Sequence, residues 1–158
     1  MFLCQDGFEE YAYPLGAFLI NWWLMVQTGF YLGNSDWWVM ASFDIQGTDD
    51  LRDVYEALLS VGCSDYKARE VCMTISQPNK GYTLTDYDGR FSLMFVGAAT
   101  EPSEMYDSID HEKQHVISHI SKYYGVDPKS EEAAYLAGEL GRLLFPAAAY
   151  VICPGCHQ

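Results

Sequence analysis

The segment that most restricts this chain is His111-Glu112-Lys113-Gln114-His115, because both histidines can serve one site only if the backbone around them is helical. On an α-helix, residues four apart lie on one face roughly 6 Å from each other, so two imidazoles can reach a single ion. The flanks support that helix: Met105, Ile109, Val116, Ile120 and Tyr123 keep helical spacing, Thr100 can cap it, Pro102 fits its first turn and Gly125 ends it. Glu112 stands beside the histidine face, where a carboxylate can draw a proton from water at the ion. The pattern points to zinc and to hydrolytic chemistry. The competing reading is a chance match on a solvated helix, an event on the order of one in a hundred or less in a chain of this length.

The elements around this helix predict an α+β fold. Trp37 to Ile45 is aromatic-rich and short, as a strand is, and Gly47 follows it. Thr48-Asp49-Asp50 then caps a helix whose apolar positions Leu51, Val54, Leu58 and Val61 are spaced by three and four, with Gly62 at its end. Ser64 to Ile75 reads as a second helix, stopped before Pro78. Tyr82 to Tyr87 and Arg90 to Val96 flank Asp88-Gly89, which accepts the positive φ angles of a tight hairpin turn. Phe91, Leu93 and Phe95 give the second arm one strongly apolar face, and Phe91 to Val96 is either an edge for an extended substrate or a strand that simply packs in the core. After Gly125, Asp127 as N-cap and Pro128 in the first position predict a last helix that runs to just before Pro146.

Catalytic zinc usually has three protein ligands, so two histidines leave one to find. His119 extends the pattern, but eight residues separate it from His111, about 12 Å along a regular helix, so the two cannot share an ion. Metzincins turn the chain with a glycine before their third histidine, and none lies between His115 and His119. His119 therefore sits beside the site or at the surface. Glu131 and Glu132 open the last helix, where the turn over 125–128 can bring a carboxylate back toward the motif helix. Asp107, one turn before His111, is either an orienting partner for its ring or a solvated helix residue.

With Ser130-Glu131-Glu132-Ala133-Ala134-Tyr135-Leu136 following the motif helix, the chain over 91–146 resembles the gluzincins, particularly short members and related proteins of phages and gut bacteria. Their ligand helix looks like Ser-Glu-x-x-Ala-Tyr-Leu. The resemblance implies a zincin-like domain, a small and mostly antiparallel sheet packed against the motif helix and a ligand-bearing helix. It implies zinc held by His111, His115 and Glu131, with Glu132 as a neighbour, and peptide hydrolysis with Glu112 as general base. Tyr135, one turn after Glu131, is placed either to donate to a bound carbonyl or developing oxyanion or to pack beside the site. The chain has Tyr135 where thermolysin-like relatives often carry an acidic or amide residue that orients the histidines.

Composition narrows the partners. With 158 residues, 49% of them hydrophobic, the chain reads as one domain over 1–158, comprising an apolar segment 1–34, a core 37–146 and a cysteine-containing tail 147–158. A formal net charge of −13 repels a phosphate backbone, which excludes nucleic acid and leaves a peptide or protein substrate as the expected partner. Tyr11 to Ser35 carries no charge, but Pro14, Gly16, Asn21 and Gly29 interrupt it and no basic residue precedes Arg52; it reads as buried core or partner contact ahead of membrane contact. Five sparse cysteines fit a reducing compartment, hence the cytoplasm. Cys153-Pro154-Gly155-Cys156-His157 has the spacing of haem attachment, a half zinc site, a redox pair or a plain tail, and Cys63 and Cys72 complete a four-cysteine site only if the fold brings them close. Set against the peptidase reading is a zinc-containing interaction protein of phage or mobile-element origin that performs no chemistry.

Overall fold

The computed structural model describes residues 25–33 and 35–153. They form β1 (Val26–Tyr31), β2 (Trp38–Ile45), α1 (Gly47–Ser60), α2 (Asp65–Ile75), β3 (Gly81–Asp86), β4 (Phe91–Gly97), α3 (Pro102–Tyr124) and α4 (Glu131–Ile152). The fold is α+β, with one mixed sheet in the order β1-β2-β4-β3. β1 pairs antiparallel with β2, β3 antiparallel with β4, and β2 parallel with β4.

Side chains alternate across the sheet as the period of two requires, and each face finds its own helical layer. Val39, Ala41 and Phe43 of β2 with Met94 and Val96 of β4 pack against α3 and α4, where Ile109, Val116, Ile120, Leu140 and Leu144 close the core. Trp38, Phe91, Leu93 and Phe95 face the opposite way, onto Val54 and Leu58 of α1 and Val71 and Ile75 of α2. The strongly apolar face of β4 thus serves α1 and α2, while the motif helix α3 packs on the mixed face.

Several boundaries differ from the local signals. Val26 to Tyr31, inside the apolar N-terminal segment, is an edge strand of the sheet; Tyr11 to Leu24 and the tail from Pro154 onward lie outside the described residues. Among the described residues no helix is long and apolar enough to cross a membrane. The substrate edge expected on Phe91 to Val96 is not there, because β4 is paired on both sides and buried throughout; the edge next to α3 is β3. The hairpin forms as expected, but Arg90 rather than Gly89 takes the positive φ, and the Asp86 carboxylate accepts from the backbone N–H groups of Asp88 and Gly89 to shape the turn.

Helix starts also shift. α1 begins at Gly47, ahead of Thr48, and Asp50 reaches back from inside the helix to accept from the Gln46 N–H at 2.7 Å. Ser130, not Asp127, caps α4, its hydroxyl accepting from the Ala133 N–H. α4 also runs through Pro146 to Ile152. Proline there removes a backbone donor and crowds the preceding turn, yet Ala147 and Ala148 beyond it are buried in the α3/α4 core, and that packing holds the last turns in helical form. Because Pro146 itself is exposed, Pro146→Ala is expected to raise stability by about 1–3 kcal/mol, read as a higher urea midpoint at unchanged slope.

Candidate metal centre

α3 carries the motif across the sheet beside β3. His111 and His115 are exposed, and Glu112, between them in sequence, is buried at 4% exposure. The three side chains each offer a ligand atom within 4.8 Å of the others, and among the described residues this is the group able to hold a metal ion. The two Nε2 atoms stand 3.2 Å apart. Two nitrogens about 2.05 Å from one tetrahedral zinc are separated by about 3.3 Å, so the observed spacing fits two imidazoles sharing an ion. A direct hydrogen bond between the rings has a similar span, and metal uptake separates the two.

Glu112 is held by β3. Thr83 donates its hydroxyl to Glu112 Oε2 at 2.7 Å, and the absence of a side chain at Gly81 makes room for the rest of the carboxylate. A Cβ at Gly81 would lie 2.5 Å from Glu112 Cγ and 2.8 Å from Oε1, inside van der Waals contact. Gly81→Ala should therefore push Glu112 from its place against Thr83 and lower stability by about 1–3 kcal/mol, read as a lower urea midpoint.

Thr85, two residues on and so on the same face of β3, holds His119: Thr85 Oγ1 and His119 Nδ1 are 2.9 Å apart. Behind them, Thr85 Oγ1 lies 2.9 Å from Ser92 Oγ, and the Trp37 indole Nε1–H donates to Ser92 Oγ at 3.1 Å. Burial, and then the neighbouring His115 and Lys122, push the His119 imidazole below its ordinary range, which favours its neutral form. His119 is thus half-buried and tied to the sheet beside the motif. Thr83 and Thr85 give no sign of this in sequence beyond the alternation of a strand.

The structure does not bring Glu131 to the histidines. Glu131 and Glu132 are exposed at the start of α4 and stand outside the metal-capable group. α4 docks on the face of α3 that carries Tyr106, Ile109 and Lys113, which line a groove of about 500 Å³ with Gly141, Leu144 and Ala148. His115 lies about 180° around α3 from Tyr106, and Glu131 lies ten residues before Gly141, about 15 Å further along α4. A third ligand at Glu131 requires α4 to return on the histidine side, and it returns on the other. Glu131→Ala is accordingly expected to leave zinc affinity within about twofold of wild type in a competition titration, as an exposed substitution away from the site should.

Tyr135 is 76% exposed on α4, four residues after Glu131 and on the same face of that helix, and among the described residues it makes no hydrogen bond to the motif. Asp107 is exposed and makes no hydrogen bond to His111. Cys63 and Cys72 join no metal-capable group among the described residues, and the Cys72 thiol, pushed up by burial, donates weakly to the Leu51 carbonyl. Comparison with known proteins adds no family: no family model, curated protein or solved structure matches the chain.

Proposed function

We propose that the protein is a zinc-dependent peptidase of zincin type in which His111 and His115 hold the ion and Glu112 is the general base. The observation that carries the reading is the 3.2 Å approach of the two Nε2 atoms beside a buried carboxylate anchored on the sheet. Bound zinc would polarise both a water molecule and the scissile carbonyl. Glu112 accepts the proton of that water and passes it to the departing amine, so that the bond breaks with a neutral leaving group. Thr83 and Gly81 fix the carboxylate where it can act as that base, the hydroxyl holding one oxygen and the missing side chain leaving space for the other.

The placement of α3 supports the zincin-like reading, since the motif helix lies next to an antiparallel edge strand. The outer side of β3 is unpaired in the sheet and runs past Glu112, so an extended peptide adding there would pass its backbone across the two histidines. Incubating the zinc-loaded protein with an unbiased peptide library tests the proposal: new termini should appear, vanish on chelation and return with added zinc. The position of Glu131 favours one second reading, a two-histidine metal-binding protein that performs no chemistry, for which the same incubation yields no new termini at full zinc occupancy.

A further inference from the structure

We propose that His119 supplies a fixed hydrogen-bond donor to the acyl oxygen of a bound substrate, its proton held on Nε2 by a hydroxyl relay that starts at Trp37, a role that rests on the peptidase reading of His111, Glu112 and His115. The direction of the relay follows from what each group can do. An indole N–H only donates, so Ser92 Oγ accepts from Trp37. Ser92 is fully buried, and the other partner of its hydroxyl is Thr85 Oγ1, so the Ser92 proton points to Thr85. Thr85, having accepted that bond, turns its own proton to His119 Nδ1. Nδ1 is then an acceptor without a proton, and the neutral imidazole carries its hydrogen on Nε2.

The reverse polarity, with Nδ1–H donating to Thr85 and Thr85 to Ser92, would leave the Ser92 proton without an acceptor in a fully buried position. An unmade hydrogen bond of that kind is costly, so the forward direction prevails. Nε2–H itself meets no acceptor among the described residues, although the ring is not free to rotate: Thr85 fixes one edge, and the Tyr87 ring stands edge-on with centroids 6.3 Å apart. The imidazole lies on the histidine face one turn beyond His115, with ring centroids 6.2 Å apart. An unspent donor on a ring held in place one turn from His115 is what a carbonyl gaining negative charge there would use. Thr83 and Thr85 thus divide the work of one strand face, the first holding the base and the second setting the tautomer of the donor.

Two measurements test this on the full chain. In the metal-free protein, nitrogen-resolved NMR of the imidazoles, with His119 assigned by the signal lost in His119→Gln, should show neutral His119 protonated on Nε2, and Thr85→Val should release it to a mixture of tautomers. Protonation on Nδ1 in the wild type overturns the proposal. In the zinc-loaded protein, acetohydroxamate should bind roughly three- to tenfold more weakly to His119→Phe at equal zinc content, the range expected for one neutral hydrogen bond. His119→Gln, which keeps an N–H at a similar reach, should recover most of that loss and serves also if the phenylalanine variant misfolds. Equal affinity in wild type and both variants at full zinc overturns the role of His119 alone, whereas a wild type that takes up no zinc overturns it together with the peptidase reading.

Discussion

Glu112→Gln is expected to lower peptide hydrolysis by roughly 10²- to 10⁴-fold, the usual worth of a positioned general base, while zinc content stays at its wild-type level. The amide keeps the shape of the carboxylate and still presents an oxygen to the Thr83 hydroxyl, so the contact that now spans 2.7 Å persists and the melting temperature should barely move. What the variant lacks is a basic oxygen. Turnover at fixed zinc occupancy and a thermal melt together check the expectation, and full activity in the variant would remove Glu112 from the mechanism.

His115→Ala should act one step earlier, on the ion itself. A pair of imidazoles with Nε2 atoms 3.2 Å apart becomes a single exposed imidazole, and one nitrogen ligand on a solvated helix face does not retain zinc against a mild chelator. Even partners that only hydrogen-bond a ligand are commonly worth about 10- to 100-fold in metal affinity, so loss of a ligand should exceed about 100-fold. Competition titration with a chromophoric chelator reads this directly, and His111→Ala should match it. Activity should fall in parallel with occupancy, which separates this variant from Glu112→Gln, where occupancy and activity part.

The contrast between these residues and Glu131 shows how far local sequence reaches. The spacing of His111, Glu112 and His115 is a property of one helix, and the structure places them as that spacing requires. The hairpin of β3 and β4 and the helices α1 to α3 are local in the same sense, and their signals locate them to within a few residues. A third ligand on α4 depends instead on which side of α3 the next helix approaches. Apolar stripes on both helices say that they pack and leave the side open; Ile109, Ile117, Leu140 and Leu144 settle it through long-range contacts in the core. The parallel pairing of β2 with β4 has the same origin, since α1, α2 and β3 separate the two strands in sequence, and without it β4 passes for an edge. Pro146 marks the opposite failure, a strong local signal overridden by burial of Ala147 and Ala148. The anchoring of His119 joins Trp37, beside β2, to β4, β3 and α3, and no single window of sequence contains it.

X-ray absorption on the zinc-loaded protein examines the ion at its ligands. Coordination by His111 and His115 predicts about one zinc per chain with two imidazole nitrogens at roughly 2.0–2.1 Å and no sulfur neighbour. Sulfur scattering at about 2.3 Å would move the metal to the cysteines, and a purified wild type that retains no zinc, or whose spectrum is unchanged in His115→Ala, would contradict a metal centre on α3.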